Sequence, residues 1–147
     1  MKAMLVIATV AAVLIAAAAA VAAKPPIFAQ ARALGTIKNP MTLQLKPGVM
    51  VLDTITIQPG GNFGWHTHGS PVAVVITSGT LTVFDPSIGS CAPFKVSKGQ
   101  AFVEPTNHVH LARNDTSRPV TLYAMYLGVP KGVQPNQPAA QPAGCNT

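Results

Sequence analysis

Between residues 41 and 128, apolar side chains recur at every second position in short runs broken by glycine and proline, a period that predicts strands rather than helices. In the run 49–58, Val49, Val51, Ile55 and Ile57 fall on one face, with Asp53 the polar exception. Residues 41–45 read as a strand before it, and 66–68, 72–77, 80–84, 94–96, 100–104, 108–113 and 120–127 as strands after it. Pro47-Gly48 and Pro59-Gly60-Gly61 mark turns, 85–90 is a loop, and Ser78-Gly79 reads as a tight hairpin joining 72–77 to 80–84. About nine short strands with a turn every ten or so residues, and no helical period, predict an all-β sandwich or barrel.

The two ends break this pattern. Lys2 followed by the uncharged run 3–23, of which 11 residues are alanine, reads as a signal peptide with small residues at its end for cleavage. So alanine-rich a run is weakly apolar for a permanent anchor, and no membrane association is expected once it is removed. Cleavage after Ala22-Ala23 or near Ala29-Gln30-Ala31 both fit, and the expected destination is secreted or periplasmic, within the cell envelope. Residues 24–40 form an N-terminal arm, since Pro25-Pro26 forbids an immediate helix. Residues 129–147 are a proline-rich tail with little to bury, expected to lie extended over the folded domain. Cys91 and Cys145 are the only cysteines, and an even count in an exported chain predicts a disulfide between them.

Composition narrows the function. A chain of 147 residues with 48% hydrophobic content suits one domain with a core, here 41–128. The net charge of +6 is spread over single Lys and Arg residues with no basic run, which gives no nucleic-acid interface. Nucleophile elbows, Cys/His dyads and phosphate-cradling loops are also missing from the sequence.

The chemistry-bearing residues are four histidines. His66 and His68 stand two apart, as do His108 and His110, so in extended strands each pair shares one face of a sheet. The context of these pairs resembles the two motifs of the cupin family. Gly60, His66, His68 and Gly79 match the first, although Val72 and Ala73 occupy the two places where its glutamate belongs. Gly99, Pro105, His110 and Asn114 match the second, with Asn107 in place of its internal glycine. The resemblance spans about residues 42–128. It implies a single jelly-roll β-barrel and a divalent transition-metal site (Zn, Fe, Mn, Ni or Cu) built from His66, His68 and His110.

Three neutral imidazoles without a carboxylate would leave a divalent ion its full +2 charge, which favours a small anionic ligand or substrate. His108, Glu104 and Tyr123 or Tyr126 are the candidates for proton transfer, with a rim position as the favoured reading for His108 and Glu104; Glu104 is also a candidate substitute carboxylate. Asn114 is expected to cap the turn at 115–117. The alternative to a metalloprotein is a barrel that binds a small molecule without metal. Homodimerisation stays open.

Overall fold

A computed structural model describes residues 29–37, 42–88 and 91–147. The expected leader 1–23, the rest of the arm at 24–28 and 38–40, Met41 and the loop residues 89–90 lie outside the described residues.

Among the described residues nine strands carry the fold: β1 Val49–Ile57, β2 His66–Thr67, β3 Val72–Ser78, β4 Thr80–Phe84, β5 Phe94–Ser97, β6 Ala101–Glu104, β7 Leu111–Arg113, β8 Val120–Val129 and β9 Gln137–Pro138. One sheet runs β1-β8-β3-β6, antiparallel throughout. A second runs β5-β4-β7, and it is extended by paired main-chain bonds between His66 and His110, 3.0 and 2.9 Å long. Through that bridge β2 and its partner β9 join the same layer. The inward faces of both layers meet in one apolar cluster, with Ile57, Val72, Val74, Ile76, Val120 and Leu122 from the first and Leu81, Val83, Val96 and Ala112 from the second. This is the expected all-β jelly roll, built as two stacked layers rather than one continuous cylinder.

Two local expectations are corrected. Residues 42–46 form no strand; Leu43 and Leu45 are exposed there, so alternation in this stretch has no buried face to serve. Ser78-Gly79 is not a hairpin, because β3 and β4 do not pair with each other. Both edges of β3 are already taken by β6 and β8, so the chain crosses at Gly79 into the other layer. The positive φ of 77° there and the closeness of the Pro119 carbonyl, 2.9 Å from where a Cβ would stand, both require glycine.

The arm and the tail each add to the domain. Thr36 bridges Gln100 in parallel, ahead of β6. The tail does lie extended over the fold, as β9, and ends in a disulfide between Cys91 and the buried Cys145.

Candidate metal centre

The second layer presents three histidines at one point. His66 belongs to β2, His68 follows it directly, and His110 immediately precedes β7; the His66–His110 bridge sets their backbones side by side. All three are buried, at 5%, 2% and 1% exposure, and Nε2 of His68 and of His110 are shut off from solvent. Each offers a ligand nitrogen within 4.8 Å of the others.

Their tautomers follow from their partners. Nδ1 of His66 lies 2.9 Å from the Gly64 carbonyl, Nδ1 of His68 lies 3.0 Å from that of Pro135, and Nδ1 of His110 lies 3.0 Å from that of His108. A carbonyl only accepts, so each Nδ1 carries a proton and donates it, and each neutral ring keeps its lone pair on Nε2. Local sequence explains the first of these bonds. Gly64 takes a φ of 69°, held by the Asn62 side chain accepting from its N–H, and this turns its carbonyl back toward His66. Asn107, in the place of the motif glycine, also has a positive φ, 62°, a conformation asparagine tolerates. Its N–H donates to the His68 carbonyl, so this departure from the motif leaves the site intact.

Glu104 is inside the site, which corrects the expectation of a rim position. Its carboxylate oxygens lie 3.1 Å from Nε2 of His68 and 3.2 Å from Nε2 of His110. Register supplies the reason. In the first layer Val72 is directly opposite Glu104 on β6 and opposite Tyr126 on β8, and residues directly opposite in a sheet share a face. Val72, one of the two places where the family glutamate would stand, points inward and is buried. The carboxylate therefore comes from the neighbouring strand instead. With it present, the charge argument for an anionic ligand, which assumed three neutral rings alone, no longer holds.

The electrostatics mark a place for a cation. Two Nε2 lone pairs facing a carboxylate at contact distance repel it, and neither nitrogen has a well-directed hydrogen-bond partner, so a proton or a metal ion must sit between them. Without metal a proton does this. Burial lowers the pKa of His110, but the Glu104 hydrogen bond and charge outweigh it and raise the value above the ordinary one. Burial likewise pushes Glu104 up, yet His110 and His68 bring it down to about 2. His66, without such a partner, is lowered by burial to about 4 and stays neutral.

A cavity of about 30 Å³ opens beside these groups, room for roughly two waters. Apolar side chains of Ile55, Phe63, Val74, Phe102 and Leu122 form most of its wall, together with Tyr126 and Asn136. Tyr126 donates its hydroxyl to Asn136 Oδ1 at 3.2 Å. Burial, with the charges of Glu104 and Asp53, raises its pKa to about 12, so it remains a phenol at neutral pH.

His108 does not join the cluster. It is 38% exposed, and its Nδ1 lies 2.7 Å from Ser87 Oγ and 3.8 Å from Asp85, which is the expected rim position. Asn114 is buried and does cap the turn, accepting from Thr116. It also donates to the Ile57 and Arg118 carbonyls, tying β1 to the β7–β8 connection.

Comparison with known proteins agrees with this architecture. The family model "Cupin domain" matches residues 53–126. A cupin-like protein from Thermotoga maritima superposes with a TM-score of 0.53 at 15% identity, over 62% of this chain and 65% of its own. The polyketide cyclase RemF from Streptomyces resistomycificus gives 0.52 at 16%, over 65% and 64%, and a structure of DMSP lyases gives 0.52 at 18%, over 62% and 44%. The match spans less than two thirds of each of these solved chains, and at such identities the likeness is one of fold. No curated protein sequence matches.

Proposed function

The chain belongs to the cupin family, and from that premise we propose that it holds one divalent transition metal ion on Nε2 of His66, His68 and His110 with the Glu104 carboxylate completing the set, beside a cavity for a small molecule. The observation that carries this reading is the arrangement of protons. Three buried rings all spend their N–H on main-chain carbonyls and turn bare lone pairs toward one point next to a carboxylate. A three-nitrogen, one-oxygen set suits Zn, Fe, Mn, Ni or Cu. When bound, the ion supplies a Lewis acid or a dioxygen site at the inner end of the cavity. The protein's own residues do the rest: the apolar wall excludes water from a small ligand, and Tyr126 offers a phenolic proton held in place by Asn136. The ligand is a molecule of very few atoms, or the end group of a larger one, that brings a donor atom to the ion past a mostly apolar wall. We further propose export by the leader 1–23, which the disulfide supports, since such bonds persist in oxidising compartments.

A metal-free, ligand-binding barrel is the competing reading. The observation in its favour is the 3.2 Å approach of His110 Nε2 to Glu104, whose hydrogen bond and charge raise the ring's pKa, so that a proton there would satisfy Glu104 without any ion. Metal content decides between them. Purified protein incubated in turn with Zn²⁺, Mn²⁺, Fe²⁺, Ni²⁺ and Cu²⁺ and then desalted is expected to retain close to one ion per chain of at least one of these, and His110→Ala to lose it. Protein that stays metal-free with all five would establish the competing reading.

A further inference from the structure

The segment that follows the family-matched region reaches the centre of the site. The carbonyl that accepts from Nδ1 of His68 belongs to Pro135, 67 residues downstream, whereas those serving His66 and His110 belong to residues only two positions away. The next residue, Asn136, lines the cavity and holds the Tyr126 hydroxyl. Then β9 pairs with β2, setting Pro138 opposite His66 and Gln137 opposite Thr67, and the Ala139 N–H donates to the Trp65 carbonyl at 2.9 Å. Finally the Cys91–Cys145 bond fastens the tail to the loop that precedes β5.

We propose that residues 135–139 are a positioning element of the metal centre: Pro135 fixes His68 as an Nε2 ligand, and the Cys91–Cys145 bond holds Pro135 in place, so that the oxidised chain grips metal more tightly than the reduced one. The reasoning is physical. A two-residue strand contributes few main-chain bonds, and a tail with four prolines among its last 18 residues buries little apolar surface of its own. Its docked population therefore depends on the covalent tether, which raises the local concentration of the segment. When the segment leaves, Nδ1 of His68 loses its acceptor, the ring is free to take the other tautomer and to rotate, and its lone pair is no longer held toward the site. Outer partners of this kind are worth about 10–100-fold in metal affinity.

This inference rests on the proposed metal site, and its test separates the two. The full-length double variant Cys91→Ser/Cys145→Ser and the variant Ala139→Pro, which removes the donor to Trp65 while keeping the disulfide, are compared with the unmodified protein. The readouts are Zn²⁺ affinity by competition with a chromogenic chelator and the His68 tautomer by ¹⁵N NMR of the metal-free protein. We expect the unmodified chain to show His68 with its proton on Nδ1, both variants to show a mixture of tautomers, and both to bind Zn²⁺ about 10–100-fold more weakly. Slow amide exchange in β3 and β8 identifies a variant whose sandwich is still folded; should the double variant lack it, Ala139→Pro alone decides. An unmodified protein that binds no Zn²⁺ but shows the tautomer shift in the variants would sink the metal reading and leave the tail's positioning role standing. An unchanged tautomer together with unchanged affinity would overturn the inference.

Discussion

The two layers of the sandwich solve different problems with different means. The β1-β8-β3-β6 layer is antiparallel throughout, and most of its inward positions are apolar, so burial holds it together. The layer that carries the histidines includes the two-residue strand β2, a glycine of positive φ beside it, and ring nitrogens bonded to main-chain carbonyls. One layer is stabilised by area, the other is shaped by directed bonds. Stability and metal affinity should therefore separate by layer, and Glu104 is the residue where they cross.

The largest effect expected is in the regular layer. Ile76 on β3 is fully buried, at 0% exposure, within the shared core. Ile76→Ala should cost about 2–5 kcal/mol in urea unfolding, the usual range for a buried aliphatic cavity, while the folded fraction still takes up one ion per chain. Loss of metal from folded Ile76→Ala protein would show that the layers are not separable.

Glu104→Gln tests the crossing point. Glutamine keeps the shape and removes the charge, so folding should survive, but metal affinity should fall at least about tenfold, since even outer partners of ligands are worth 10–100-fold. Chelator competition on the variant measures this. Unchanged affinity would return Glu104 to a structural place beside the rings.

What sequence reasoning reached, and what it missed, follows the same division. Alternation in 49–57 and 72–77 shows the regular layer because one face of each strand packs on the core, fully at Ile57, Val72, Val74 and Ile76 and partly at Val51 and Ile55. The histidine spacing shows the other layer's ligands because period two is a property of the strand itself. Glu104 was misplaced because its role depends on register: nothing local says that β6 runs beside β3 with Glu104 opposite Val72. The same blindness to pairing made Ser78-Gly79 look like a hairpin, since a glycine turn is written alike whether the next strand stays in the sheet or leaves it. The Pro135 carbonyl could not be foreseen at all, because a main-chain acceptor 67 residues away leaves no side-chain signal.

Acidity should distinguish two rings of the same layer in the metal-free protein. His66 has a folded pKa near 4, below its ordinary 6.5, so as pH falls from about 6.5 toward 4 the unfolded chain takes the proton first and stability drops. His110 has a raised folded pKa, so its contribution is complete below about 6.5 and is lost as pH rises through the folded value. Urea midpoints of the metal-free protein are therefore expected to peak near pH 6.5. His66→Ala should flatten the acid side above about pH 5.5, before Glu104 begins to protonate in the unfolded chain, and His110→Ala the alkaline side. An alkaline limb that survives in His110→Ala would mean that some other group generates it.

The smallest effect is expected where sequence spacing alone pointed to a ligand. His108 has the same two-residue relation to His110 that His66 has to His68, so a regular strand would aim both rings of each pair at one site. The strand is not regular there: β7 begins only at Leu111, and Asn107 just before His108 sits at a positive φ. The His108 ring consequently faces Ser87 and Asp85, outside the buried cluster. Its main chain still matters, since its carbonyl accepts from Nδ1 of His110, but a substitution leaves that carbonyl in place. His108→Ala should therefore change Zn²⁺ affinity by less than about threefold, under 1 kcal/mol, in the same competition assay that finds a loss of ten times or more for Glu104→Gln. A loss as large as that of Glu104→Gln would mean that the ring swings in from the rim to meet the ion, and the division between a ligand face and its border would have to be redrawn around four histidines.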